Sequence, residues 1–136
     1  MISPVYIIEA KRTPVGSFQG QLSGFQGWQL GAEAIRSVVT PTHVPEEVIM
    51  GCVLGAGQGQ APARQATCSA LGVDNVPAIT VNKVCGSGMQ SIGFAYNKLQ
   101  LGQRNVMVAG GFESMTNAPF LLPKGRSGYR MGHGVV

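Results

Sequence analysis

The sequence has few charged residues and no long apolar run, and each shortage excludes a class of protein. Charged residues make up 12% of the 136-residue chain, about half of the usual share. No apolar stretch reaches the length of about 18 residues that a membrane span needs. The ten Lys and Arg residues, which give a net charge of +4, are scattered and do not form the basic block typical of a nucleic-acid surface. We therefore expect neither a membrane nor nucleic acid as a partner.

Cysteine is also scarce, and its spacing excludes two structural uses. The three cysteines, Cys52, Cys68 and Cys85, are 16 and 17 residues apart. An odd number at these spacings fits neither a disulfide framework nor a zinc site with close Cys pairs. The N-terminal apolar run has no basic leader before it. We expect a reducing compartment, the cytoplasm, while a mitochondrial matrix reached after removal of an import leader stays open.

The abundant residues indicate a single α/β domain. Hydrophobic residues make up 44% of the chain, which also contains 20 glycines, and this length gives room for one domain with a core. Short β-branched runs predict strands at 5–10, 46–54, 78–81 and 106–109, the first being a buried strand that opens the sheet. Apolar residues at helical spacing predict helices at 30–38, 62–71 and 89–99. Alternating strands and helices predict a largely parallel sheet with helices on both faces.

Two turns that follow strands are candidate ligand sites, because ligands bind beyond the carboxyl ends of parallel strands. The first turn, residues 55–59, resembles a dinucleotide-binding fingerprint, and Asp74 follows about 20 residues later, where a ribose-binding acid belongs. Gln60, however, stands where the fingerprint requires its third glycine, and Pro62 stiffens the turn. A structural glycine turn is the favoured interpretation.

The second turn places Cys85 between a predicted strand and a predicted helix. Unpaired N–H groups at a helix N-terminus favour a thiolate, and a thiolate there is nucleophilic near neutral pH. Gly86 and Gly88 would let a substrate approach closely. A small buried core cysteine is the equally weighted alternative. Ser87 is the weaker nucleophile candidate, because Cys85 occupies the position of the first glycine in the G-x-S-x-G elbow.

Other residues are expected to have structural roles. Core packing is predicted for Cys52 and Cys68, an exposed loop position for His43, and a hydrogen-bonded structural role for Glu113. His133 could act as a base only if it folded back over the sheet. Two further expectations are packing within a helix for Trp28 and a solvated loop for the basic residues Lys124, Arg126 and Arg130.

Four segments in order resemble the thiolase family. The segment at 81–91, VNKVCGSGMQS, is similar to the active-site cysteine segment of thiolases. The others, at 9–18, 59–65 and 108–115, read EAKRTPVGSF, GQAPARQ and VAGGFESM. Together they span nearly the whole chain, and within the family the chain is most similar to the biosynthetic acetyl-CoA C-acetyltransferases. The resemblance implies a thiolase-like fold, of which this chain holds the N-terminal half only.

The resemblance implies Claisen condensation of two acetyl-CoA molecules to acetoacetyl-CoA, and the reverse thiolysis. Cys85 would be the nucleophile that holds the acyl group as a thioester, with its own backbone N–H as an oxyanion donor. Coenzyme A thioesters, acetyl-CoA and other short acyl-CoA, would be substrates, with no metal and no redox cofactor. A homodimer or homotetramer is expected. The alternatives are a 3-ketoacyl-CoA thiolase of fatty-acid breakdown and a non-catalytic assembly subunit.

Three motifs of the family are missing from this sequence. They are an Asn-Glu-Ala-His run, a Gly-His-Pro run and a Cys-x-Gly run, which supply the activating, oxyanion-holding and proton-abstracting residues in the family's C-terminal half. His133 belongs to none of them. We therefore expect residues 1–117 to be the N-terminal domain and 118–136 the start of a truncated loop region. The chain alone is expected to be incomplete and inactive, with the missing C-terminal half in the same or another chain and an exposed apolar face where that half would pack.

Overall fold

The computed structural model describes residues 4–132, which form a small parallel sheet covered by three helices. In chain order the elements are helix α1 Gly27–Val38, strand β1 Glu47–Gly51, helix α2 Pro62–Leu71, strand β2 Ala78–Val81, helix α3 Ser87–Gln100, strand β3 Met107–Gly111 and the 3-10 turn Met115–Asn117. Each helix and strand matches a predicted segment to within a few residues. The predicted α/β class is confirmed.

Strand β1 is the centre of the sheet, and the strand order is β2-β1-β3. Both of its neighbours run parallel to it, with Val48 opposite Ala78 on one side and opposite Val108 on the other. All five residues of β1 are buried, as expected for a strand covered on both faces. Because the strands are parallel, their carboxyl ends meet at one edge of the sheet, and the turns that follow them lie close together.

The two faces of β1 pack against different helices. Alternate side chains of a strand point to opposite faces, and Val48, Met50 and Cys52 join one hydrophobic cluster with residues of α1 and α2. On the other face, Glu47 pairs with Lys98 of α3 at 2.5 Å. Gly51 lies against the first turn of the same helix. The predicted cover of helices on both faces is therefore confirmed.

The predicted opening strand at residues 5–10 is wrong. This segment has no strand pairing within residues 4–132, and most of its apolar side chains are exposed, with Tyr6 at 75% and Ile7 at 86%. A cavity of about 480 Å³ lies between this segment, α3 and β3. The apolar, β-branched pattern indicates a segment suited to burial, but the burial itself requires a neighbour that residues 4–132 do not supply.

Residues 118–132 contain no helix or strand and are exposed. The chain before them is tied back to the N-terminal loop by Asn117, whose side-chain amide donates to the carbonyl groups of Ser23 and Phe25. The predicted division between residues 1–117 and 118–136 stays a prediction. None of the helices in the described part of the chain combines the length and the apolar character that a membrane span requires.

Candidate functional site

Cys85 lies in the turn between β2 and α3, and its side chain is exposed. Helix α3 begins at Ser87, with Gly86 as its N-cap residue, so the thiol stands just before the first turn of a 14-residue helix. This is the position predicted from the sequence. The alternative of a buried core cysteine is wrong for Cys85, because the turn places its side chain in solvent.

The turn that carries Cys85 has an unusual backbone. Val84 has φ of 49°, a left-handed conformation that is strongly disfavoured for a β-branched residue. The Val84 N–H donates to Asn82 Oδ1 at 3.0 Å. Ser87 Oγ donates to the Val84 carbonyl at 2.6 Å and accepts from the Lys83 N–H at 2.8 Å. Ser87 itself is only 3% exposed, so its hydroxyl has a structural role and is not a nucleophile in this arrangement.

Three glycines bring α3 into direct contact with the strand ends. A Cβ on Gly51 would lie 2.5 Å from the backbone nitrogen of Gly88, and a Cβ on Gly111 would lie 3.2 Å from the Gly88 Cα. A side chain at Gly51 would therefore collide with the start of α3. A Cβ on Gly88 itself would meet the Gly110 carbonyl oxygen at 3.8 Å, an ordinary contact, so the suggested role of Gly88 as room for a substrate stays a prediction. The close contact holds the start of α3 against the sheet, and with it the Cys85 turn.

Cys52, at the end of β1, has a very different environment. Its side chain is 4% exposed, accepts from Gln58 Nε2 at 3.3 Å and donates to Glu113 Oε1 at 3.5 Å. Burial, followed by the nearby Glu113 charge, raises the pKa of the Cys52 thiol to about 11. This burial confirms the predicted core role of Cys52. A buried thiol with this pKa carries little thiolate at neutral pH.

Glu113 follows β3 and stabilises the neighbouring end of β1. Its carboxylate accepts the backbone N–H of Val53 at 2.9 Å and that of Leu54 at 3.1 Å. The Val53 carbonyl in turn accepts from Asn82 Nδ2 at 3.3 Å. The predicted hydrogen-bonded structural role of Glu113 is confirmed. This carboxylate is linked to the Cys85 turn through Val53 and Asn82.

Gln58 is a buried residue that the sequence reasoning missed. It is 7% exposed, and its amide donates to the Leu54 carbonyl at 2.8 Å and accepts the Trp28 N–H at 3.0 Å. The residue therefore joins the 55–59 loop to the start of α1. The one available sequence signal was a glutamine inside a glycine-rich turn. That signal does not reveal burial, because the partner Trp28 is 30 residues away.

The 55–59 loop has the geometry of a structural glycine turn. Gly57 and Gly59 have φ of 77° and 79°, which only glycine adopts without strain. The Gln58 side chain donates to the Leu54 carbonyl just before the loop. Asp74 is exposed, and its backbone carbonyl accepts a hydrogen bond from Arg64. The loop backbone agrees with the predicted structural glycine turn.

The remaining candidates lie apart from the Cys85 turn or are structural. Cys68 is only half-buried, so its predicted core packing holds in part. His43 is exposed and its ring contacts Thr40 and Thr42, which agrees with the predicted loop position. Trp28 packs against the core as predicted, and Lys124, Arg126 and Arg130 are exposed. His133 lies outside the described residues.

Among residues 4–132, no three His, Cys, Asp or Glu side chains gather where they could hold a metal ion.

Comparison with known proteins places this geometry in a family. Residues 5–136 match the family model described as thiolase, N-terminal domain. The mitochondrial acetyl-CoA acetyltransferase of Xenopus tropicalis is 48% identical over 132 residues, covering 94% of this chain and 31% of that protein. The acetyl-CoA acetyltransferase of Pseudomonas aeruginosa is 47% identical over 133 residues, covering 95% of this chain and 34% of that protein.

A solved structure agrees with these relatives. The crystal structure of the Bacillus anthracis acetyl-CoA acetyltransferase superposes with a TM-score of 0.86 at 35% sequence identity, over 93% of this chain and 33% of that one. The chain thus spans about a third of the length of the relatives it matches.

Proposed function

The chain belongs to the thiolase family as its N-terminal domain, and from this we propose that Cys85 is the nucleophile of an acetyl-CoA acetyltransferase. The relatives that match nearly the whole chain carry that name. Their much greater length means that this chain would supply the nucleophile, while the remaining catalytic groups would come from a C-terminal half. The predicted motifs for those groups do not occur in residues 1–136.

The observation that carries the proposal is the contrast among the three cysteines. Cys85 is exposed at a turn before a helix N-terminus, Cys68 is half-buried, and Cys52 is buried. Covalent acyl transfer needs a thiolate that a thioester can reach. Among the three, Cys85 combines an exposed side chain with a position at the N-terminal dipole of a long helix. It also lies within the segment that resembles the thiolase active-site motif.

In the proposed reaction, the Cys85 thiolate attacks the carbonyl carbon of acetyl-CoA. A bond from Sγ to the acetyl carbon forms, the bond to coenzyme A breaks, and the departing thiolate takes up a proton. The backbone N–H of Cys85 donates to the developing oxyanion. A second acetyl-CoA that has lost a methyl proton then attacks the acetyl group, which forms a carbon–carbon bond and releases Cys85 as thiolate. The product is acetoacetyl-CoA, and thiolysis reverses these steps.

The proposal includes partners and location. Acetyl-CoA and other short acyl-CoA are the proposed substrates, with neither a metal nor a redox cofactor. The proposed assembly is a homodimer or homotetramer in the cytoplasm or in a mitochondrial matrix, and the name of the Xenopus tropicalis relative includes the word mitochondrial. Exposed apolar side chains of α3, including Met89 and Ile92, agree with the expectation that further polypeptide packs on this domain.

The test is intact-mass analysis of the full gene product after mixing with acetyl-CoA. We expect one acetyl group per chain, located on Cys85 by peptide mapping and absent from the Cys85→Ser variant. Cys68→Ser is the matched control and should be acetylated like the wild type. The 136-residue chain alone should show no turnover. If the full gene product stays unmodified on Cys85, the proposed function is wrong and a non-catalytic assembly subunit becomes the better interpretation.

A further inference from the structure

We propose that Asn82 is a positioning residue that holds Cys85 in its reactive place, an inference that depends on the proposed role of Cys85 as nucleophile. Asn82 is the first residue after β2, three positions before Cys85. Its side chain makes two hydrogen bonds in opposite directions, one into the turn and one toward β1. No part of Asn82 needs to touch the thioester for this role.

The first hydrogen bond stabilises a costly conformation. Val84 at φ of 49° is in a strained conformation, and a residue in such a conformation persists only where its surroundings hold it. Asn82 Oδ1 accepts the Val84 N–H at 3.0 Å, which closes a turn of the kind that asparagine side chains form with the backbone two residues on. Without this acceptor, Val84 would gain by relaxing to negative φ, and the Cys85 backbone that follows would rotate with it.

The second hydrogen bond connects the turn to the sheet. Asn82 Nδ2 donates to the Val53 carbonyl at 3.3 Å, and the N–H of Val53 donates to Glu113 at 2.9 Å. Asn82 therefore links the Cys85 turn to the carboxyl ends of β1 and β3. These hydrogen bonds fix the position of the turn relative to the strands, in addition to the hydrogen bonds within the turn.

The exposure of Asn82 separates positioning from general stability. Asn82 is exposed, as are Val84 and Cys85, so little apolar surface is at stake in any substitution at this position. The main consequence of losing its hydrogen bonds should be a displaced Cys85 and a displaced Cys85 N–H. A misplacement of about 1 Å costs on the order of 100-fold in rate.

The experiment measures single-turnover acetylation of Cys85 in the full gene product over a range of acetyl-CoA concentrations, together with the melting temperature. For Asn82→Ala we expect the limiting rate to fall about 10- to 100-fold, while the half-saturating concentration and the melting temperature stay close to wild type. Asn82→Asp, which keeps the acceptor and loses the donor, should show an intermediate rate. Asn105→Ala is the matched control. Asn105 lies before β3, at the opposite end of the sheet, and its side-chain amide donates a hydrogen bond to Glu46.

A double-mutant cycle tests the physical cause. Glycine adopts positive φ without strain, so in a Val84→Gly background the removal of Asn82 should lower the rate by only about twofold to threefold. The proposal is overturned if Asn82→Ala acetylates at the wild-type rate, or if its effect is equal with Val84 and Gly at position 84. It is also overturned if the unfolded fraction of the Asn82→Ala protein accounts for its whole loss of acetylation rate. A wild-type protein that never acetylates Cys85 would instead defeat the proposed function, and this inference with it.

Discussion

A cysteine follows each of the neighbouring strands β1 and β2, and the two cysteines have opposite environments. At the end of β1, Cys52 is enclosed by Gln58 and Glu113, and burial raises the pKa of its thiol to about 11. After β2, the chain instead makes a left-handed turn and presents Cys85 to solvent before a helix. The same residue type, at the same edge of one sheet, is made inert in one place and accessible in the other by its neighbours.

The largest expected effect concerns the glycine contact that holds α3 against β1. A Cβ on Gly51 would meet backbone atoms of Ser87 and Gly88 at 2.5 Å, and neither can move without shifting the helix. We expect Gly51→Ala to lower the free energy of unfolding by about 3 kcal/mol or more, measured by urea denaturation. Gly55→Ala is the control, because a Cβ there meets nothing within 4 Å. Equal denaturation midpoints for the two variants would show that the contact is looser than described.

The second prediction tests the contrast between the cysteines directly. We expect iodoacetamide at pH 7 to modify Cys85 at least about 100-fold faster than Cys52, because a buried thiol of raised pKa offers little thiolate. Peptide mass spectrometry over time gives both rates in one sample. In urea the three cysteines should react at similar rates, which controls for local sequence. Comparable rates for Cys52 and Cys85 in the folded protein would remove the contrast.

The third prediction sharpens the role of Glu113 at the Cys52 end. Glu113→Gln replaces a carboxylate that accepts from both Val53 and Leu54 with an amide that has one acceptor oxygen. One backbone N–H loses its partner, so the free energy of unfolding should fall by about 1–3 kcal/mol. Glu33→Gln, at an exposed pair with Arg36, should cost less than about 1 kcal/mol. Chemical denaturation that gives the two variants the same stability would contradict this role.

The smallest expected effect is a pH dependence of stability that comes from Cys52. Its raised pKa keeps the thiol protonated in the folded protein, while the unfolded chain loses that proton near the ordinary value of 9.0. The unfolded state therefore binds fewer protons, and the free energy of unfolding should fall by about 1 kcal/mol between pH 9 and pH 10. Cys52→Ala should lose this part of the slope, and Cys68→Ala should keep it. An identical slope in all three proteins would refute the assignment.

The prediction of helices and strands succeeded where the signal is local. Pro62 near the start of α2 and the apolar spacing of α3 depend on residues a few positions apart, and both helices occur where expected. The segment at 5–10 has an equally local strand signal, yet it is unpaired within residues 4–132. A strand needs a partner, and partners are remote in sequence.

The candidate site likewise has one part that local sequence patterns predict and another that depends on contacts remote in sequence. The position of Cys85 between a strand and a helix could be predicted, because a strand signal and a helix signal flank it directly. The burial of Gln58 could not be predicted, since its partners include the start of α1, 30 residues earlier. The link from Glu113 through Val53 to Asn82 was equally hidden, because its members come from three separate strand ends.

The sequence by itself determined the α/β alternation, the resemblance to thiolases and the turn that carries Cys85, because these are written in short contiguous patterns. Only the tertiary structure decided which cysteine is buried, why Gly51 is a glycine, and how Asn82 is anchored. Each of those outcomes depends on parallel strands meeting at a common edge, where residues about 30 to 60 positions apart in sequence come within hydrogen-bond distance.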